Sequence, residues 1–200
     1  MRPTLIRESG FGPKLEAVLA RLCQKLGCLY KTQAVKLPYL VDVIAAGELG
    51  HRITDATFEA WKQGVVAREA WVGVTYPTSG SLFRIERPDY DEGWTITLQG
   101  KPPERLSKDE LRVVDRVAEE YGRMSAQDLG ALTKAMNPDL PRELWGSNAK
   151  PALDEDAYAR LSEGWQSLWR QLPALDLTDE SQWSEPIEDP DEYFRVLFRA

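Results

Sequence analysis

The stretch that decides the fold is LSKDELRVVDRVAEEYGRMSAQDLGALT, residues Leu106 to Thr133. Ser107 followed by Glu110 is a capping box, in which each side chain satisfies a backbone donor that the first helical turn leaves unpaired. Leu111, Val114, Val117 and Tyr121 then share one face at helical spacing, and Gly122 ends the helix. Ser125 caps a second helix that places Leu129, Leu132 and Met136 on one face before Asn137 and Pro138 stop it. So short a connection makes the two a tight helical pair.

Working outward, Pro13 suits a first helical position, and Leu15, Val18, Leu19, Leu22 and Leu26 follow at helical spacing until Gly27. Thr32 to Ala46 carries Val35, Tyr39, Leu40, Val43 and Ile44 on one face, with Pro38 predicting a kink or a late start. Residues 55–64 (DATFEAWKQG) suggest a short strand, and VVAREAWVGV after it reads as a short helix. LFRIER (82–87) and WTITL (94–98) flank the turn-rich PDYDEG, the pattern of a hairpin. From Asp154 a further helix carries Tyr158, Leu161, Trp165, Leu168 and Leu172, and Asp189 to Phe198 reads as a last short one. The fold class is mainly α: a compact helical domain with a small antiparallel β-hairpin or three-stranded sheet (α+β).

With 200 residues, 42% of them apolar, and seven tryptophans, the chain can bury one sizeable core. It has no run of about 18 apolar residues to span a membrane, and MRPTLIRESGFG lacks the apolar stretch of a secretory signal, so a cytoplasmic location is expected. Cys23 and Cys28 are read as reduced thiols. Of the formal charge of −7, the last 25 residues carry −6: Asp176, Asp179, Glu180, Glu185, Glu188, Asp189, Asp191 and Glu192 stand there against Arg195 and Arg199. The near-neutral remainder has no basic stripe of the kind that grips phosphate backbones.

Catalytic signals are missing. A single histidine, His51, gives no metal-binding pair and reads as a solvated surface residue, while Cys23 and Cys28 form only a CxxxxC spacing. The sequence contains no phosphate-cradling glycine loop, no GxSxG elbow and no HExxH helix, and PDYDEG lacks the length and spacing of a calcium loop. Neither catalytic residues, a metal site nor a cofactor is assigned.

Three blocks, in order, resemble the Panacea (SocA-like, DUF4065) antitoxin family: KLPYLVD from Lys36 to Asp42, TFEAWKQGVV from Thr57 to Val66, and Leu106 to Thr133 with its two serine-capped helices. The chain departs from the family pattern at Pro38, at Gln63 and Val65 in place of tyrosine and proline around Gly64, and at Lys134 in place of histidine. The resemblance implies an N-terminal helical extension over 1–30, the family domain over 31–173 and an acidic tail over 174–200. It further implies a non-enzymatic protein that neutralises a cognate toxin, encoded by the adjacent gene, through direct binding. Tyr39, Trp61, Leu129 and Leu132 are expected in the core. Asp42, Lys62 and Arg68 are expected to be exposed and are the candidate partner-binding residues of the body, with Trp183, Tyr193 and Phe194 in the tail. The tail's acids and aromatics suit docking on the basic surface of a toxin, or folding back on the domain's own surface. Two other readings are a DNA-binding regulator, in which the pair 107–136 acts as a helix-turn-helix on operator DNA, and a phage-associated protein.

Overall fold

The computed structural model describes residues 11–77, 81–86 and 93–137. Its elements are α1 (Pro13–Leu26), β1 (Leu29–Tyr30), α2 (Lys31–Leu49), β2 (Phe58–Trp61), β3 (Gly64–Ala67), α3 (Arg68–Thr75), β4 (Phe83–Glu86), β5 (Thr95–Leu98), α4 (Lys108–Tyr121) and α5 (Ala126–Ala135). The helices dominate, and the strands form one antiparallel sheet in the order β1-β5-β4 and a separate β2-β3 hairpin. The expected helix from Asp154, the acidic tail with its last helix, and the PDYDEG loop before Gly93 lie outside the described residues.

At the centre is α2, in which every residue from Ala34 to Ala45 is buried. A helix that is apolar all round belongs inside a fold, and the others pack around this one. On one side α1 lays Leu15, Leu19 and Leu22 into the same core as Leu37, Leu40 and Ile44, although it precedes the stretch that resembles the family. Ion pairs fasten α1 to α4: Lys14 to Glu110 at 2.7 Å, Arg21 to Asp115 at 2.6 Å and Lys25 to Glu119 at 2.9 Å. Glu110 serves twice, because it also accepts from the Ser107 N–H at 2.6 Å in the expected capping box, while the Ser107 hydroxyl accepts from Glu110 N at 3.2 Å. Ser125 caps α5 by accepting from Asp128 N at 3.1 Å.

Pro38 neither delays nor divides α2, which starts at Lys31 and runs unbroken to Leu49. Proline removes one intrahelical bond and costs stability in an exposed helix, but packing on all sides of α2 offsets that loss. A second expectation is corrected at Val65–Ala67, read from sequence as the start of a helix. These residues form β3, paired antiparallel with β2 so that Ala60 faces Val65 and Phe58 faces Ala67, and only Arg68–Thr75 is helical. The cause is the turn at Gly64, whose φ of 99° is open to glycine and strained for other residues.

Three contacts hold that turn. Lys36, fully inside α2, donates from Nζ to the Gln63 carbonyl at 2.6 Å and the Val65 carbonyl at 3.0 Å. Thr133 on α5 accepts from Val65 N at 3.2 Å and donates to the Gly130 carbonyl at 3.1 Å. Gly64 Cα sits so close to both helices that an added Cβ would collide with Thr133 Oγ1 and come within 2.8 Å of the Gly130 carbonyl. Gly64→Ala therefore combines backbone strain with a clash, and is expected to lower unfolding free energy by about 1–3 kcal/mol. A denaturant melt of the variant against wild type checks this.

Burial, with a smaller push from Lys134, lowers the Lys36 amine from its ordinary 10.5 to about 7. The unfolded chain keeps that proton up to higher pH than the folded one. Folding stability contributed at this site therefore rises with pH between about 7 and 10.5. Lys36→Met removes the titration, so the wild type should gain stability relative to the variant across that window in chemical melts at stepped pH; parallel curves would contradict the assignment.

Candidate partner-docking site

The residues proposed from sequence separate into interior and surface. Asp42, expected outside, is fully buried: its Oδ1 accepts from the backbone N–H groups of Ile53 at 2.9 Å and Thr54 at 2.7 Å. Its Oδ2 accepts from the Thr54 hydroxyl at 2.6 Å and Arg52 Nε at 3.1 Å. Burial pushes the carboxyl above its ordinary range against the opposing pull of the Thr54 and Arg52 donors. Both oxygens are thus committed to holding the connection after α2 against the helix. Arg52 is tied down in turn, donating to the Ala56 carbonyl and lying 5.3 Å from the Phe58 ring centre.

Tyr39, Leu129 and Leu132 are buried as expected, with the Tyr39 hydroxyl accepting from Asn137 Nδ2 at 2.9 Å. Trp61 is only half-buried. It stands at the start of a surface that sequence periodicity did not indicate. Its ring meets Trp71 edge-on at 5.2 Å, and the Lys31 ammonium lies 5.2 Å from the Trp71 ring and 5.0 Å from that of Trp94. Four elements contribute: β2 brings Trp61, α3 brings Trp71, α2 begins with Lys31, and Trp94 precedes β5, whose Thr95 pairs with Tyr30. A cation held between two indole faces is stabilised by their quadrupoles and keeps an otherwise mobile side chain in place.

Among the described residues the large apolar side chains most open to solvent are Tyr30, 51% exposed and next to Lys31 in the chain, Tyr76, 46% exposed, and Val72, 38% exposed and next to Trp71. Arg68, Val72 and Tyr76 follow one another at four-residue spacing, so they form a stripe along the outer side of α3 and its C-terminal cap. Arg68 is exposed as expected, 3.8 Å from Glu59, and Glu59 also accepts from Trp61 Nε1 at 2.8 Å. Lys62, half-buried at the β2-β3 turn, lies near enough to Lys134 to help lower the pKa of that amine, after the larger effect of burial. The structure therefore links Arg68 to the tryptophan cluster, keeps Lys62 at its margin and removes Asp42 to the interior. Trp183, Tyr193 and Phe194 lie outside the described residues.

Among the described residues, the histidine and the buried Cys23 stand apart from that surface. His51 is exposed, with Nδ1 3.1 Å from the Leu49 carbonyl and Nε2 4.0 Å from Glu110. Cys23 and Cys28 are both free; Cys23 is buried with its thiol donating to the Ile96 carbonyl at 3.6 Å, and burial pushes that thiol up to about 12. Among the described residues no group of three or more histidine, cysteine, aspartate and glutamate side chains is placed to hold a metal ion. No described helix is long and apolar enough to cross a membrane.

The profile of the family described as antitoxin SocA-like, Panacea domain, matches residues 35–138, which run from α2 to just past α5. Neither a curated protein nor a solved structure matches the chain. With more than half of its length covered by that profile, the chain belongs to the SocA-like antitoxin, Panacea domain family.

Proposed function

We propose that this chain is a cytoplasmic antitoxin that neutralises a cognate toxin, the product of an adjacent gene, by forming a stoichiometric complex with it. The match to an antitoxin family over residues 35–138 carries this reading. The surface supports it. Tyrosine, tryptophan and arginine are the side chains in which binding hot spots are enriched, and here they sit on short, firmly packed elements instead of long loops. The proposed docking face is the α3 stripe of Arg68, Val72 and Tyr76 together with Trp61, Trp71 and Lys31, with Lys62 at its edge. Trp183, Tyr193 and Phe194 of the tail complete the set of partner-binding candidates.

The regulator reading has less to stand on. Helix α5, which would have to enter a DNA groove, buries Leu129 to Thr133 against β3 and α2, and its exposed first turn offers Gln127 and the partly exposed Asp128. Phosphate binding calls for cations at that position.

Expression of the neighbouring gene alone should arrest growth, and co-expression with this chain should restore it with a one-to-one complex on pull-down and size exclusion. Arg68→Glu combined with Val72→Glu should weaken that complex at least about tenfold, or about 1.4 kcal/mol, with an unchanged helical spectrum because both side chains already face solvent. Growth restored without any complex, or a neighbour that is not toxic, would refute the proposal.

A further inference from the structure

A groove of about 680 Å³ runs between the end of α1, the start of α2 and the α4-α5 turn. Lys25, Cys28, Tyr30, Lys31, Arg123 and Met124 are among the residues that line it. Its described lining holds three cations and no carboxylate, on a chain whose formal charge is −7. Lys25 shares its charge with Glu119 at 2.9 Å and Asp115 at 3.7 Å, and Lys31 is fixed beside Trp71 and Trp94. Arg123 is exposed and makes no ion pair among the described residues. Tyr30, more than half exposed, supplies an apolar platform at the same place.

We propose that this groove is the seat of the chain's own C-terminal acidic segment, residues 176–194. The complementarity is two-sided. Residues 176–192 hold eight carboxylates and no base, with Trp183 inside the run and Tyr193 and Phe194 directly after it, so acids meet Lys25, Lys31 and Arg123 while an aromatic side chain meets Tyr30 and Met124. Reach is not limiting, because 38 residues separate Asn137 from residue 176, a chain contour of on the order of 100 Å. Tethering gives the segment an effective concentration of about millimolar, so a contact too weak to hold a free peptide is occupied within one chain. The seat adjoins the proposed docking face, since Lys31 belongs to both. A partner that uses this face displaces the segment, which then makes Trp183, Tyr193 and Phe194 available to that partner; the contact within the chain itself requires no toxin.

The groove contains its own reporter. Cys28 lines it and is half-buried, whereas Cys23 is buried with its thiol pushed up to about 12 and serves as an unreactive control in the same molecule. The alkylation rate of Cys28 by iodoacetamide, followed by peptide mass spectrometry on the full chain, is compared with a variant carrying Glu185→Gln, Glu188→Gln, Asp189→Asn and Asp191→Asn. The expected result is labelling about fivefold faster in the variant at low salt, with the wild type approaching the variant at about 0.5 M salt as screening releases the segment. Carbodiimide coupling of an equal mixture of ¹⁴N and ¹⁵N chains should join Lys25 or Lys31 to acids within 176–192, in peptides of a single isotope, and Arg123→Glu should reduce the yield. Equal alkylation rates with no such coupling would overturn the proposal. Mixed-isotope products would overturn it in favour of a second copy as occupant, and protection of Cys28 that appears only when a partner protein is added would overturn it in favour of that partner.

Discussion

The constraint on which the rest of the structure depends is the burial of α2 on every side from Ala34 to Ala45, with two ionisable side chains inside that stretch. Lys36 and Asp42 occupy positions where neither water nor an ion pair between them is available, so each must find its partners in the chain that surrounds the helix. Lys36 takes two carbonyls from the β2-β3 turn. Asp42 takes the backbone of Ile53 and Thr54, the Thr54 hydroxyl and Arg52. Two segments that would otherwise be free loops are thereby fixed on opposite stretches of one helix. Leaving either buried group without its partners would cost more than the bond itself contributes, which makes these connections specific as well as stable.

The same constraint separates what was legible in the sequence from what was not. Caps are local: Ser107 with Glu110, and Ser125 with Asp128, act within three residues, and both helices start where those residues predict. The hairpin strands around 82–98 were legible for the same reason, since alternation and a turn-rich loop are adjacent in the chain. Asp42 was misplaced because a charged residue in a helix was assigned to solvent by type. The available signal was its surroundings, because Leu37, Pro38, Tyr39, Leu40, Val41, Val43 and Ile44 leave that helix no polar face. Val65 to Ala67 were misread as helical because their strand pairing depends on a turn held by Lys36, 27 residues earlier for Gln63, and by Thr133, 68 residues later for Val65. The Lys31, Trp61, Trp71 and Trp94 cluster is equally non-local, assembled by the register of β1 on β5 and the packing of α3.

The departures from the family pattern around Gly64 look different in this light. Gln63 and Val65 stand where tyrosine and proline are usual, yet what Lys36 recognises at both positions is a backbone carbonyl. Those bonds persist whatever side chains the two residues carry, provided Gly64 keeps its positive φ. Valine in place of proline also supplies an N–H, which here donates to Thr133. The substitution therefore adds a contact between the hairpin and α5 that proline has no donor to make.

Division of labour follows from where the polar atoms are spent. Residues that answer the needs of α2 have their polar atoms committed inside the fold, whereas Arg68 and Val72 are exposed on an element that the interior holds still. Change at the first set is expected to disturb the fold, whereas Arg68 and Val72 are exposed positions where substitution leaves the core intact. If the α3 stripe is the docking face, as proposed, it can vary without touching the buried lysine and aspartate, which hold the β2-β3 turn and the connection after α2. Rigid support also reduces the entropy lost when those side chains are immobilised in a complex, so a small exposed stripe on α3 is worth more to binding than the same residues on a loose loop.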